Sequence, residues 1–153
     1  MKPLLFLTKT DDSNAALVAR LTLGLVMFPH GAQKALGWFG GYGFSGTMGF
    51  FTGTMHIPAL FAFLAIAAEF AGSLALITGL FSRVAALGIA AVMSVAALTA
   101  HRGNGFFMNW TGSQTGEGFE FHLLALGLAL IVLSHGAGRF SLDALLARQA
   151  GRK

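Results

Sequence analysis

The chain has 153 residues, of which 55% are hydrophobic and only 10% are charged, and its mean hydropathy is +0.70. Soluble domains carry about a quarter charged residues, so this composition excludes an ordinary soluble protein and indicates one small membrane domain, residues 1–153. The chain contains no cysteine, which excludes disulfide exchange, thiolate zinc sites and iron–sulfur ligation.

Four membrane-spanning helices are predicted, which gives an all-α, four-transmembrane-helix bundle. In chain order they cover residues 13–36, 57–80, 82–101 and 117–136. The first helix has possible N-caps at Asp11, Asp12 or Ser13. It also contains Arg20, about 10 Å from the helix start and thus close enough to extend its side chain to the lipid headgroups. The second and third helices are joined by a very short connection, so they must pack as antiparallel neighbours.

Glu69 lies in the middle of residues 57–80, a run of 24 residues that is otherwise uncharged and long enough to cross a membrane. A carboxylate at that depth is costly if it faces lipid, so we expect Glu69 to face the bundle interior or a wet cavity, or to be protonated. Its helical neighbours on one face, Gly72 and Ser73 among them, are small enough for close helix approach. Two interpretations follow: a proton-carrying carboxylate, or a structural acid bonded to Ser73 or to a backbone carbonyl.

The two outer connections are rich in glycine and aromatic residues. Residues 31–56 contain eight glycines interleaved with Trp38 and other aromatic side chains, and residues 102–118 have the same character. One interpretation is that the aromatic side chains anchor the loops at the membrane surface. The alternative is an aromatic lid over a flat hydrophobic ligand, which Trp38 would contact.

Lysine and arginine are distributed unequally between the two sides of a four-span chain. One side has eight, namely Lys2, Lys9, Arg20, Arg83, Arg139, Arg148, Arg152 and Lys153, whereas the other has only Lys34 and Arg102. The positive-inside rule therefore predicts cytoplasmic N- and C-termini, with residues 139–153 as a cytoplasmic tail that contains a short amphipathic helix capped by Ser141. Because the basic residues lie at helix ends and termini, we expect contacts with the lipid bilayer and none with nucleic acid.

Polar side chains are predicted at the outer ends of three helices. His30 and Lys34 lie one turn apart on one face of the first helix, and His101 ends the third. Glu120 and His122 are expected to enter the membrane boundary, because the charge-free part of the fourth helix is too short to span alone. They are roughly 200° apart around that helix, so one of them would bind a loop unless the helix starts after Glu120.

Each of these polar residues also has a structural interpretation. A histidine at a membrane boundary can serve as an interfacial hydrogen-bonding group rather than as a ligand. Lys34 and Arg102 can neutralise headgroups or pair with Glu117.

Quinone turnover is the chemistry that this set of residues favours. It needs a histidine or lysine that hydrogen-bonds a carbonyl oxygen, a carboxylate path for protons and an apolar slot with aromatic side chains. A b-type haem would need two inward histidines on opposing helices, for which His30 and His101 are the candidates. A di-iron Glu-x-x-His pattern is absent from the sequence. A mixed His/Glu zinc or copper site stays open as a further alternative.

An ordered set of short motifs resembles the DoxX family of small bacterial membrane proteins. The set consists of Arg20–Gly24, His30-Gly31 with Lys34, Gly37–Gly40, Glu69–Gly72, Gly79–Arg83, Glu120 and Gly136–Asp143. The resemblance implies an inner-membrane four-helix bundle associated with redox metabolism. Related subunits take part in thiosulfate:quinone oxidoreduction, and other members are linked to oxidative-stress complexes. It marks His30, Lys34, Glu69, Arg83 and Glu120 as matched motif positions without assigning catalytic roles to them.

We therefore expect a quinone-linked redox protein of the bacterial inner membrane, or a subunit of a membrane oxidoreductase complex. Its predicted catalytic residues are His30 and Lys34, which orient the head group, and Glu69, which carries protons. The predicted cofactor-binding side chains are His30, Lys34, Trp38, His101, Glu120 and His122. The alternatives are a non-catalytic scaffold that recruits a soluble oxidoreductase and, as a homo-oligomer, a small-solute or metal carrier.

Overall fold

The computed structural model describes residues 8–150, so the predictions that involve Lys2, Arg152 and Lys153 lie outside the described residues. From Asn14 onward the described chain forms six α-helices and no strand, which confirms the all-α prediction. The helices are α1 (Asn14–Leu36), α2 (Gly43–Gly49), α3 (Ala59–Thr78), α4 (Ser82–Ala96), α5 (Glu120–His135) and α6 (Leu142–Ala150). A π-helical turn, Phe50–Thr54, extends α2, and α4 continues through a π-helical turn, Ala97–His101, and a 3-10 turn, Arg102–Asn104.

Three helical segments are long and apolar enough to cross a membrane: Asn14–Leu36, Ala59–Thr78 and Ser82–Asn104. The fourth apolar helix, α5, has 16 residues and starts at Glu120 instead of the predicted residue 117. The start is late because the N–H groups of Gly118, Phe119 and Glu120 bond to carbonyls of residues 105–107. At the other end of the chain, the N-cap of α1 is Ser13, whose hydroxyl accepts a hydrogen bond from the Ala16 N–H.

The four long helices pack as a ring in which α1 contacts α3, α3 contacts α4, α4 contacts α5 and α5 closes back onto α1. Its centre is filled by aliphatic and methionine side chains, among them Leu23, Met27, Leu76, Ile89 and Val132. Large apolar side chains also cover the outside of the ring. Such a surface would be unstable in water, so the outside of the bundle is suited to lipid.

The closest helix contact joins α1 to α3 through two glycines. A Cβ atom on Gly31 would lie 2.5 Å from the Phe70 Cα, and one on Gly24 would lie 3.0 Å from the Ile77 Cγ1. The glycines are seven residues apart, as are their partners, so this spacing defines the antiparallel register of the two helices. The register places the last turns of α1 beside the middle of α3, where Glu69 lies.

Arg20 is buried in the bundle, with 1% of its surface exposed, so the predicted extension to the headgroups is wrong. Its Nε donates to the Ala137 carbonyl at 2.7 Å, and its Nη1 donates to the Leu76 and Ile77 carbonyls at 2.8 Å each. Its Nη2 donates to the carbonyls of Arg139 and Phe140. One guanidinium therefore binds five carbonyls at the end of α3 and in the segment after α5, of which only the Leu76 carbonyl is also shown to accept from the Gly79 N–H at the helix end.

Arg83 and Asp143 complete this end of the bundle. Arg83 donates to the carbonyls of Leu133 and Ser134 in the last turn of α5, at 2.6 and 3.2 Å. The Asp143 carboxylate accepts hydrogen bonds from the Phe81 and Ser82 N–H groups at the start of α4. The segments 79–83 and 136–143 therefore join helix ends to one another.

Ser141 caps α6, as predicted. Its hydroxyl accepts a hydrogen bond from the Ala144 N–H at 3.2 Å and donates one to the Gly138 carbonyl at 2.9 Å.

Replacing Arg20 by lysine is expected to destabilise the protein although it keeps the positive charge. A lysine ammonium has three donors on one atom and cannot satisfy five carbonyls from two segments, so buried carbonyls lose their partners. We expect the free energy of unfolding, measured in mixed micelles, to fall by about 2–5 kcal/mol. The matched exposed change, Arg148→Lys, should leave it within about 0.5 kcal/mol. Equal stabilities of the two variants would contradict the assigned role of Arg20.

Candidate functional site

Glu69 and Lys34 form an ion pair inside the bundle. Lys34 Nζ lies 2.6 Å from Glu69 Oε2, and the two side chains are 26% and 4% exposed, respectively. The Ser73 hydroxyl donates to the Phe70 carbonyl instead of to Glu69. The buried acid is therefore neutralised by a lysine from the neighbouring helix, a partner that the sequence did not predict.

The pair forms because the C-terminal end of α1 lies deeper in the bundle than the N-terminal end of α3. Gly31 lies level with Phe70 at the helix contact. By helical rise, α1 extends only about 8 Å beyond this level, whereas α3 extends about 17 Å beyond it to Ala59. Lys34 therefore reaches Glu69 from the last turn of α1, and residues 37–54 fold over the recessed helix end.

A cleft of about 270 Å³ lies between the end of α1 and this covering segment. Its lining consists of Gln33, Lys34, Gly40, Gly41, Tyr42, Thr47, Phe50 and Phe51. Lys34 is thus shared between the cleft and the ion pair. Gly41 packs so tightly on α1 that an added Cβ would clash with the backbone of Gln33. The sequence indicated an aromatic lid here but did not identify Gln33 or Thr47 as lining residues. The only sequence signal for their position was the glycine-rich pattern of the segment around them.

Trp38 does not line this cleft. Its exposed ring packs edge-on against Phe28 at 6.5 Å between centroids, and Phe28 stacks on Phe70 at 6.1 Å. The tryptophan is therefore part of an aromatic cluster along α1 and α3.

The predicted histidines lie near one another at the same end of the bundle. The rings of His101 and His122 are 4.3 Å apart between centroids, and the His122 side chain is buried. His30 is exposed, and its ring lies 5.9 Å from that of Phe121. The His30 carbonyl accepts a hydrogen bond from Lys34 Nζ at 3.5 Å, and the Phe121 ring lies 5.8 Å from that of His122.

Glu120 points to the loop 105–119 and not to the other predicted site residues. Its Oε1 accepts hydrogen bonds from the Met108 N–H at 2.8 Å and from the Trp110 indole at 3.2 Å. The Glu117 carboxylate likewise binds the Asn109 N–H, so it is not the partner of Lys34. Of Glu120 and His122, it is Glu120 that binds a loop.

Within residues 8–150, no group of three or more His, Asp or Glu side chains has the geometry of a metal site. His101 packs directly on His122, which leaves no gap for an iron between those two rings. The outer end of the bundle thus combines an ion pair, an aromatic cleft and a histidine cluster. Such a set can donate hydrogen bonds and move protons.

Removing one partner of the ion pair is expected to cost more than removing both. Lys34→Met leaves the Glu69 carboxylate buried without a counter-charge and should lower the free energy of unfolding by about 3–5 kcal/mol. Glu69→Gln should cost less, because the partly exposed Lys34 can be hydrated. The double variant should recover most of the loss, as measured by a double-mutant cycle in mixed micelles. Strictly additive effects would contradict a coupled pair.

Comparison with known proteins adds one match. The DoxX family model matches residues 15–102, more than half of the chain. This range includes α1, the cleft, the Lys34–Glu69 pair and His101, and ends before α5. No curated protein and no solved structure matches the chain significantly. On the family match and its long apolar helices, the chain is a membrane protein that belongs to the DoxX family.

Proposed function

We propose that this protein binds a quinone in the cleft beside Lys34 and exchanges protons with it through Glu69. It would act as a redox protein of the bacterial inner membrane or as a subunit of a membrane oxidoreductase, with electrons supplied by a partner oxidoreductase. The observation that carries the proposal is the buried ion pair whose lysine also lines an aromatic cleft.

The residues of the cleft fit a quinone head group. A volume of about 270 Å³ is close to the lower limit of small-molecule sites and suits a single ring. Tyr42, Phe50 and Phe51 supply aromatic surface for that ring. Lys34 has three N–H donors, of which one binds Glu69 and one binds the His30 carbonyl at 3.5 Å, so one donor is left for a carbonyl oxygen of the ligand.

The proposed roles of Lys34 and Glu69 follow from the charge that a quinone gains when it is reduced. Reduction of a quinone places negative charge on its oxygens and consumes protons, and the Lys34 ammonium would stabilise that charge. Glu69 holds the ammonium in place and would supply or take up the proton. His30 lies outside the lining of the cleft, but it is one turn from Lys34 and its ring has no hydrogen bond among the described residues. It is proposed as a second group that orients the head group.

Four predicted ligands are not included in this proposal. His101 and His122 contact each other and lie outside the lining of the cleft. Trp38 lies outside the lining of the cleft, and the Glu120 carboxylate is already bound to the loop. Their positions support roles in shaping the outer surface.

The proposed topology has four spans, with α5 as the shortest, and both termini in the cytoplasm. Its support is the basic end of the bundle, where Arg83 and Arg139 bind the ends of α5 and α1, whereas Lys34 lies at the opposite end. The cleft would then face the outer side of the membrane.

Binding of a short-chain quinone tests the lysine. Lys34→Met should weaken binding to protein in nanodiscs by about 10- to 100-fold, since a charge-assisted hydrogen bond contributes about 1.5–3 kcal/mol. The matched control is Arg102→Met, which removes an exposed cation at the same end and should bind the quinone normally. Equal affinities of the two variants, or no saturable binding by the wild type, would refute the proposed site.

Reduction of a short-chain quinone, measured in membranes that also contain the partner oxidoreductase, tests the carboxylate. Glu69→Gln should lower the rate by about 10²-fold or more while the protein stays folded and binds quinone, because glutamine cannot exchange a proton. Normal turnover in this variant would remove the proton-carrying role of Glu69.

A non-catalytic scaffold is the second candidate, and the exposed apolar surface at the other end of the bundle favours it. Phe140 is 81% exposed, and Leu145 on α6 is also exposed, although both lie outside the four long helices. Such a surface could recruit a soluble oxidoreductase. Co-purification of a soluble partner that is lost in Leu145→Ser, together with no quinone binding, would favour the scaffold.

A further inference from the structure

The turn that precedes His101 is π-helical over Ala97–His101, whereas the rest of α4 is regular. Such turns are rare and occur often at functional sites. A π turn shifts the helical register by about one residue, which changes the face on which the following side chain lies. Here the turn ends at His101, whose ring contacts that of His122.

The hydrogen bond of His101 defines its tautomer. Its Nδ1 lies 2.9 Å from the Glu117 carbonyl oxygen. A carbonyl only accepts, so Nδ1 carries the hydrogen, and Nε2 of the neutral ring has a free lone pair. His101 is partly exposed beside the loop 102–119. It can therefore take up a proton at Nε2 and release it to water.

His122 is buried without a hydrogen bond from its ring. Only 5% of its surface is exposed, and its Nδ1 is inaccessible to water and has no partner within residues 8–150. The Phe119 carbonyl lies near the ring but not in hydrogen-bonding geometry. A buried polar atom without a partner costs about 1–3 kcal/mol, and a leucine at this position would avoid that cost. The position is therefore better suited to a group that exchanges protons than to a packing residue.

The histidines connect the ion pair to the outer loop. Lys34 Nζ binds both the His30 carbonyl and Glu69 Oε2. The His30 ring lies 5.9 Å from that of Phe121, and the Phe121 ring lies 5.8 Å from that of His122 on α5. His122 contacts His101 on α4, which binds the loop through the Glu117 carbonyl. Where rings do not touch, a bridging water can complete the path. The Glu120 carboxylate at the start of α5 is bound to Met108 and Trp110, and the Glu117 carboxylate of the loop is bound to Asn109.

We infer that His122 and His101 form a proton relay between Glu69 and the outer loop. The inference rests on the proposed function, in which Glu69 gains and loses a proton. In the outward direction, the Glu69 carboxyl gives its proton through His30 to His122. The imidazolium of His122 then gives a proton to Nε2 of His101, which releases one to water. No electron moves, and each imidazole returns to its neutral form.

The test follows the Glu69 carboxyl by time-resolved infrared spectroscopy after a pH step from a caged proton, with the protein in nanodiscs and no quinone present. Glu69→Gln identifies the band. His122→Gln and His101→Gln should each slow its protonation by about tenfold or more. Glutamine can still donate to the Glu117 carbonyl, so the loop contact is retained in the second variant. The matched control, His135→Gln, changes an exposed histidine at the opposite end and should leave the rate unchanged.

Chemical rescue separates a relay from a structural effect. Free imidazole should restore the rate in His101→Gln, because that position is partly exposed. Three results would each overturn the relay. The first is a wild-type rate of Glu69 protonation in both variants, and the second is a slow rate in His101→Gln that imidazole does not raise. The third is a Glu69 band in the wild type that does not respond to the pH step. If the wild type does not bind quinone but Glu69 protonation is still slow in both variants, the proposed function would be refuted and the relay retained.

Discussion

The contact between α1 and α3 at Gly31 is the constraint on which the outer half of the structure depends. It brings the two helix backbones so close that no larger residue fits, and it places the last turn of α1 beside the middle of α3. From that register follow the ion pair between Lys34 and Glu69 and the recess above the end of α1. The cleft exists because residues 37–54 cover the recess without filling it. A backbone contact thus determines both the charge balance and the binding space.

The two ends of the bundle differ in how their charged side chains are bonded. At the end that holds Arg20, Arg83 and Asp143, each of these side chains binds backbone groups at helix termini. At the other end, Lys34 has one donor left, and the His122 Nδ1 has no partner among the described residues. The first end also holds one buried atom without a partner in the described chain, the Ser82 Oγ. It is therefore the ion pair beside the cleft that supports the proposed location of the chemistry.

The sequence was sufficient for the parts of the structure that depend on local pattern. Hydrophobic length predicted the long apolar helices, and capping rules predicted Ser141 and included Ser13 among three possible N-caps of the first helix. Helical spacing also predicted that Glu69 faces the bundle interior, where it is buried. Each of these features depends on residues within one or two turns of one another.

The features that the sequence did not predict depend on contacts between distant segments. The partner of Glu69 is set by the relative depth of α1 and α3, and the burial of Arg20 by carbonyls from residues 76–77 and 137–140. The seven-residue spacing of Gly24 and Gly31 was the one signal of the helix contact, but it does not name the partner helix.

Photoaffinity labelling with an azido-quinone is the most direct test of the central claim, which is that a quinone binds in the cleft beside Lys34. Labels on Tyr42, Phe50 or Phe51 that unlabelled quinone displaces are the predicted result, and labels confined to other segments would contradict a quinone site in the cleft.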